Sequence, residues 1–223
     1  LGSLTESSTP TPNYNSRMKI TKYPQSCLLL EKAGRSIVID PGNFFSAKHS
    51  VEELGPIEAV LYTHQHGDHF DPALMERFKS LGIALYGNAA VAALIGEGAT
   101  VARSDQRLAV AGFEIMPHDL PHFQKAGIVM PPNTGYIVDG HFFHPGDGIK
   151  TAGVRVDDLA APVGGPFEYQ DIKEFAVSLG AKRVIPIHYT NVALYPADPN
   201  EFARVMGEVA KVVLLEDGQA VEL

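Results

Sequence analysis

The sequence predicts a layered α/β domain, and three observations carry that prediction. Short apolar runs of strand length alternate with segments of helical periodicity through the whole patterned region. The runs are bounded by Gly, Pro, Asn and Asp, the residues that close strands and open helices. The composition, 45% hydrophobic and 20% charged, belongs to a chain that buries a core, and 223 residues suffice to do so in one domain.

The elements follow in order. Residues 1–17 are rich in Ser, Thr, Pro and Asn, without periodicity and without the basic start and apolar middle of a signal peptide. They read as a tag or flexible extension, and residues 18–223 as a single domain. Cys27–Leu30 and Ser36–Ile39 flank a polar connection and predict a β-hairpin that ends at the turn Asp40-Pro41-Gly42. Ala59–Tyr62 predicts a short buried strand. Asp71-Pro72 supplies an N-cap and a first helical residue, and Leu74, Met75, Phe78 and Leu81 then recur on one helical face. Ile83–Tyr86, Phe113–Met116, Gly135–Val138, Phe142–Phe143, Val184–Ile187 and Val212–Leu215 predict further strands. Ala89–Ile95, Tyr169–Leu179 and Pro199–Val209 predict helices, and Gln124–Pro132 and Gly153–Gly165 read as loops.

Composition excludes several classes of function. No run approaches the ~18 apolar residues of a membrane span. A formal charge of −8 argues against a polyanion-binding surface, so a nucleic-acid partner is not expected and a small-molecule substrate is. The single cysteine, Cys27, excludes an intrachain disulfide framework and points to a reducing, cytoplasmic setting.

Between the strand Ala59–Tyr62 and the helix cap at Asp71 lies Thr63-His64-Gln65-His66-Gly67-Asp68-His69. At this chain's His and Asp frequencies, such an H-x-H-x-D-H run arises by chance in roughly one sequence in a thousand. Neutral imidazole and carboxylate are preferred ligands of zinc-like ions, and a tight loop can aim alternate side chains at two neighbouring centres. His64 and His66 can face one ion, Asp68 and His69 another. Histidine-rich ligation favours zinc, while further oxygen ligands would admit manganese or iron.

This run resembles the signature of the metallo-β-lactamase fold superfamily. Asp40, Asn133-Thr134-Gly135-Tyr136, His144-Pro145-Gly146-Asp147 and Pro186-Ile187-His188-Tyr189 follow in that superfamily's order, so the resemblance spans about Met18 to Leu223. It implies a four-layer αβ/βα sandwich, two mixed sheets flanked by helices, with two divalent metals at one edge. It further implies His64, His66 and a later histidine on the first metal, Asp68, His69 and His188 on the second, and Asp147 bridging both. The later histidine is His122 or His118. We favour His122, because the strand Phe113–Met116 needs residues beyond its end to turn towards the metal edge.

The chemistry implied is hydrolysis of an ester, lactone or phosphoester by a hydroxide bridging the two metals. Asp68 and Asp147 are candidates to carry the proton to the leaving group, and Tyr189 and Asn191 to bind substrate by hydrogen-bonding a developing oxyanion. Asp40 is either a support behind the ligands or a turn residue. His144 is a secondary candidate that could equally cap its strand; His49 and His141 are given no role. The His-Pro-Gly-Asp-Gly and Pro-Ile-His-Tyr segments are most similar to the ascorbate-6-phosphate lactonase relatives, and the absence of a late cysteine disfavours antibiotic degradation. The alternatives are a phosphodiesterase acting on nucleotides, which would want a basic groove, and a non-catalytic metal-binding module.

Overall fold

Successive residues of the central strands enter different cores. Leu28 and Leu30 join one buried cluster and Leu29 another; Ile37 and Ile39 join the first and Val38 the second. Side chains alternate across a strand, so an uninterrupted apolar run requires packing on both faces of its sheet.

The computed structural model describes residues 17–124, 126–189 and 197–223. Its elements are β1 (Lys19–Lys22), β2 (Leu28–Lys32), β3 (Arg35–Ile39), α1 (Asn43–Ser46), a 3₁₀ turn (Val51–Leu54), β4 (Ala59–Tyr62), α2 (Pro72–Ser80), β5 (Ala84–Gly87), α3 (Ala89–Ile95), β6 (Ala99–Val101) and β7 (Leu108–Val110). Then come β8 (Phe113–Asp119), β9 (Thr134–Val138), β10 (Phe142–His144), β11 (Asp158–Pro162), α4 (Tyr169–Leu179), β12 (Arg183–Ile187), α5 (Pro199–Met206), β13 (Lys211–Val212) and β14 (Ala220–Glu222).

The strands form two seven-stranded sheets, ordered β14-β1-β2-β3-β4-β5-β6 and β13-β12-β11-β10-β9-β8-β7. Each is antiparallel at one side and parallel at the other, with β3 to β6 parallel in the first and β10 to β13 parallel in the second. Ile20, Leu30 and Leu61 from the first sheet meet Phe113, Tyr136 and Ile185 from the second in the central core. The outer face of the first sheet packs on Phe78 of α2 and Val91 of α3, and that of the second on Phe175 of α4 and Phe202 of α5. The result is the four-layer αβ/βα sandwich expected.

The topology places the site. Parallel neighbours present their carboxyl ends at one edge, where ligand sites of such sheets collect. β3 and β4 pair in parallel, with Ile39 opposite Leu61, so the residues that follow them, Asp40 and Thr63, emerge near each other. β10, β11 and β12 do the same in the second sheet, and β8 runs in the same sense as β10 because both are antiparallel to β9. Tyr136 stitches the sheets together beneath this edge, its buried hydroxyl donating to the Tyr62 carbonyl oxygen at 2.8 Å.

Several elements depart from expectation. β11 lies inside the segment read as a loop, and it is a fully buried central strand. β8 extends three residues past its expected end, through His118 to Asp119. The strand expected at Val212–Leu215 is instead the two-residue β13, and α5 ends at Met206. β1, β6, β7 and β14 were not visible in the sequence pattern, being short or, in β1, β6 and β14, polar on one face. Of the extension expected at residues 1–17, all but Arg17 lies outside the described residues. Among the described residues, no helix is long and apolar enough to cross a membrane.

Tyr136→Phe removes the hydroxyl that joins β9 to β4. We expect a loss of about 1 kcal/mol of stability, read as a lower urea midpoint at unchanged slope.

Candidate metal centre

The histidine loop is fixed before any ligand is considered. The amides of His69 and Phe70 both donate to the His66 carbonyl oxygen, closing a turn, and the Asn43 amide donates to the Gly67 carbonyl oxygen at 2.7 Å. The turn Asp40-Pro41-Gly42 packs directly against it. A side chain on Gly42 would come within 2.1 Å of the Asp68 carbonyl oxygen, so only glycine permits this approach. Asp71 caps α2 through the Ala73 and Leu74 amides, which fixes the loop's far end.

Seven side chains converge there in two groups: His64, His66, His122 and Asp147 in one, Asp68, His69 and His188 in the other, with potential ligand atoms in each within 4.8 Å of one another. In the first, His64 Nε2 and His122 Nε2 each lie 3.2 Å from His66 Nδ1. In the second, His188 Nε2 lies 3.1 Å from Asp68 Oδ2. Asp147 stands between them. Its Oδ2 is 3.4 Å from both His122 Nε2 and His188 Nε2, and its Oδ1 is 3.1 Å from His69 Nε2.

The residues behind these seven decide which nitrogen carries a proton. The Thr63 hydroxyl has one hydrogen, and the Asp40 carboxylate, an acceptor only, lies 2.7 Å away and takes it. The hydroxyl oxygen must then accept from His64 Nδ1 at 3.0 Å, leaving a lone pair on His64 Nε2. Asp40 also accepts from His69 Nδ1 at 2.7 Å, His122 Nδ1 donates to the Phe123 carbonyl oxygen at 3.0 Å, and His188 Nδ1 donates to the carbonyl oxygen of Gly164. In four of the five imidazoles the outer nitrogen is therefore the donor and the inner one bears the lone pair that a metal needs.

Burial pushes His64, His66 and His122 below the ordinary imidazole value, which favours their neutral form. Burial acts the same way on His69 and His188, but the carboxylates around them, Asp147 foremost, outweigh it and hold both above that value. Asp147 in turn is held well below the carboxylate range, the imidazoles of His188 and His69 overcoming its burial. His69 Nε2 and Asp147 Oδ1 are buried and close, yet neither finds hydrogen-bond geometry. An orphaned carboxylate oxygen at Asp147 beside the grouped ligand atoms, with a donor set of imidazole and carboxylate, fits a borderline divalent cation such as zinc.

The structure thus brings His64, His66, Asp68, His69, His122, Asp147 and His188 together and leaves His118 out. Alternation along β8 is the reason. Phe113 and Ile115 face the central core, so His118 falls on the opposite face with Met116, its ring set edge-on to Phe143 and its Nε2 against the Thr151 hydroxyl. Asp40 is buried support, accepting from the Thr63 amide as well. His144 is also buried support: its Nε2 donates to the Ser26 carbonyl oxygen and its Nδ1 accepts from the Gly146 amide. Tyr189 is a correction. Its hydroxyl, expected at the substrate, donates to the Leu215 carbonyl oxygen at 2.6 Å. Asn191 lies outside the described residues.

Two residues that sequence reasoning passed over also shape the centre. Gln25 donates from Nε2 to Asp68 Oδ2 at 3.1 Å, and its carbonyl oxygen accepts from the His188 amide at 2.9 Å, holding His188 at a φ of 60°. Asn133 accepts from the Asp147 amide and donates to the Pro145 carbonyl oxygen, fixing the loop that carries Asp147. Gln25 sits in a turn that no sequence pattern marks; Asn133 lies in Asn133-Thr134-Gly135-Tyr136, a segment that carries part of the resemblance but no ligand-type side chain.

A family model of the β-lactamase superfamily domain matches residues 19–188, a span that includes every residue of this centre. The chain belongs to that superfamily, whose fold is the metallo-β-lactamase sandwich described above. A Mycobacterium tuberculosis protein, Rv0786c, is 30% identical over 79% of this chain and 86% of its own length. A UPF0173 metal-dependent hydrolase of Pyrococcus furiosus is 29% identical over 92% of this chain and 100% of its own. Among solved structures, Igni18, described as a novel metallo hydrolase from Ignicoccus hospitalis, superimposes with a TM-score of 0.78 at 24% identity, covering 93% of this chain and 98% of its own. That likeness is one of fold.

Asp40→Asn keeps the shape but weakens acceptance from His69 and Thr63. We expect zinc affinity to fall by about 10–100-fold in competition with a chromophoric chelator. His122→Ala should lower the metal bound per chain, whereas His118→Ala should leave it unchanged, both read by elemental analysis.

Proposed function

We propose that the protein is a metal-dependent hydrolase that cleaves an ester, lactone or phosphoester bond of a small molecule at a dinuclear centre. The observation that carries this reading is the placement of Asp147 between two groups of ligand atoms, one oxygen towards His69 and the other towards His122 and His188. A carboxylate so placed suits two cations better than one, and five imidazoles with two carboxylates suit zinc. The Pyrococcus relative's designation as a metal-dependent hydrolase supports the same class.

Two divalent ions bound there would supply an acidic water and a Lewis acid for a carbonyl or phosphoryl oxygen. The protein's own contribution is positional. His64, His69, His122 and His188 are locked in one tautomer by the acceptors behind them, so the ligand set is organised before substrate arrives. Asp68 is the carboxylate of the centre that reaches towards solvent, its side chain 23% exposed against 2% for Asp147. Burial disfavours its charge, but the imidazoles of His69 and His188 outweigh that and hold it well below the ordinary carboxylate range, and Gln25 donates to its Oδ2. Asp68 therefore stands ionised at the open side of the centre, placed to accept a proton and pass it to a leaving group. A lactone or other neutral ester agrees with the chain's acidic balance better than a nucleic-acid phosphodiester does.

Elemental analysis of the purified protein should give about two metal ions per chain, and hydrolysis of a generic lactone or phosphodiester should vanish on chelation and return with zinc or manganese. Protein that neither holds nor rebinds metal, and gains no activity, would sink the reading.

A further inference from the structure

Beside the metal centre, on the His122 side, opens a cavity of about 510 Å³. Its walls include Pro121, Phe123, Ile149, Pro166, Phe167 and Phe175. Three of these are tied to the centre by the chain itself. Phe123 follows His122, and its amide donates to the Asp147 carbonyl oxygen at 3.0 Å. Ile149 lies two residues after Asp147. Phe167 lies three residues after Gly164, whose carbonyl oxygen accepts from His188.

The aromatic rings are placed, not scattered. Phe123 lies 4.2 Å from the His122 ring and 6.1 Å from the Phe167 ring, edge to face in both contacts. Gly165 lets Phe167 fold back to reach it, since a side chain at 165 would meet the Phe167 ring at 2.5 Å. Both rings stay half-exposed inside the cavity, so apolar surface is left facing water next to a polar centre. Burying it against a ligand is favourable by about 25 cal/mol per Å². Among the described lining residues Lys150 is the one cation, and Asp171 and Glu174 stand at the rim, so the cavity does not suit a polyanion.

We infer that this cavity receives a neutral apolar group of the substrate, of aromatic or branched-alkyl size, and that Phe123 and Phe167 set the preference. The inference rests on the hydrolase reading and narrows its substrates to small organic esters or lactones that carry such a group beside the scissile bond. A volume of this size holds a phenyl or short alkyl substituent with room to spare and is too small for a nucleic-acid strand.

The test is calorimetric titration of the zinc-loaded protein with acetate, hexanoate and 3-phenylpropionate, three carboxylates alike at the head and different in the tail. Affinity should rise along the series by roughly tenfold or more, and Phe167→Ala should abolish most of the rise while acetate binds as before. Phe167→Leu, which keeps an apolar wall, should restore part of it. Equal or undetectable binding of all three, or a preference that survives Phe167→Ala, overturns the inference. Turnover of esters without any tail preference overturns the cavity's role and leaves the hydrolase reading standing. Tail-selective binding by a protein that hydrolyses nothing supports the cavity's role and removes the hydrolase reading.

Discussion

Three carboxylates, Asp40, Asp68 and Asp147, lie against one cluster of imidazoles at the edge where the two sheets meet, and their negative charge is the constraint on which this end of the fold depends. Asp40 is fully buried and Asp147 nearly so. Removing such groups from water costs several kcal/mol each unless donors and positive charge surround them. The chain answers with hydrogen bonds at Asp40, where Thr63 donates twice and His69 once. At Asp147 it answers with imidazoles alone, His64, His69, His122 and His188 each placing Nε2 within 3.8 Å of the carboxylate, a concentration of negative charge and lone pairs that a cation would relieve. Zinc-like ions satisfy the same demand with less ambiguity than protons do, since one ion can serve several lone pairs and one proton cannot.

The same constraint explains why backbone strain gathers here. Asp40 and His188 both adopt a positive φ, near 52° and 60°, a region that non-glycine residues seldom enter. The surrounding hydrogen bonds over-determine both: the Asp40 amide donates to the Leu61 carbonyl oxygen and the His188 amide to Gln25. Each sits immediately after a strand, so the left-handed residue turns the chain sharply and aims the side chain across the sheet edge instead of away from it.

Much of this was legible in the sequence because it is contiguous. His64 to His69 spell out four of the seven grouped side chains within one loop, and Asp71-Pro72 announces the helix that pins it. The four-layer fold followed from the resemblance, and the alternation of elements agreed with it. What stayed hidden is long-range. Whether His118 or His122 enters the centre depends on where β8 ends, and Asp119 is too polar to advertise itself as strand. β11 was invisible because Leu159-Ala160-Ala161 is a short run between a proline and two aspartates, yet it is an interior strand of the second sheet, between β12 and β10. Gln25 touches Asp68 across 43 positions of sequence, and no spacing rule reaches that far. The direction of the Tyr189 hydroxyl was likewise set by Leu215, a partner that proximity to His188 could not suggest.

The two sheets share the cluster at their common edge. His64, His66, Asp68 and His69 belong to the loop after β4, in the first sheet; His122, Asp147 and His188 belong to loops after β8, β10 and β12, in the second. Each of the two ligand groups takes residues from both sheets. A cation seated in either group is therefore a suture between the halves of the sandwich, and the halves cannot part without releasing it. Occupancy of the centre would then add to resistance to unfolding, and loss of the cation would leave a chain that opens and is degraded more easily.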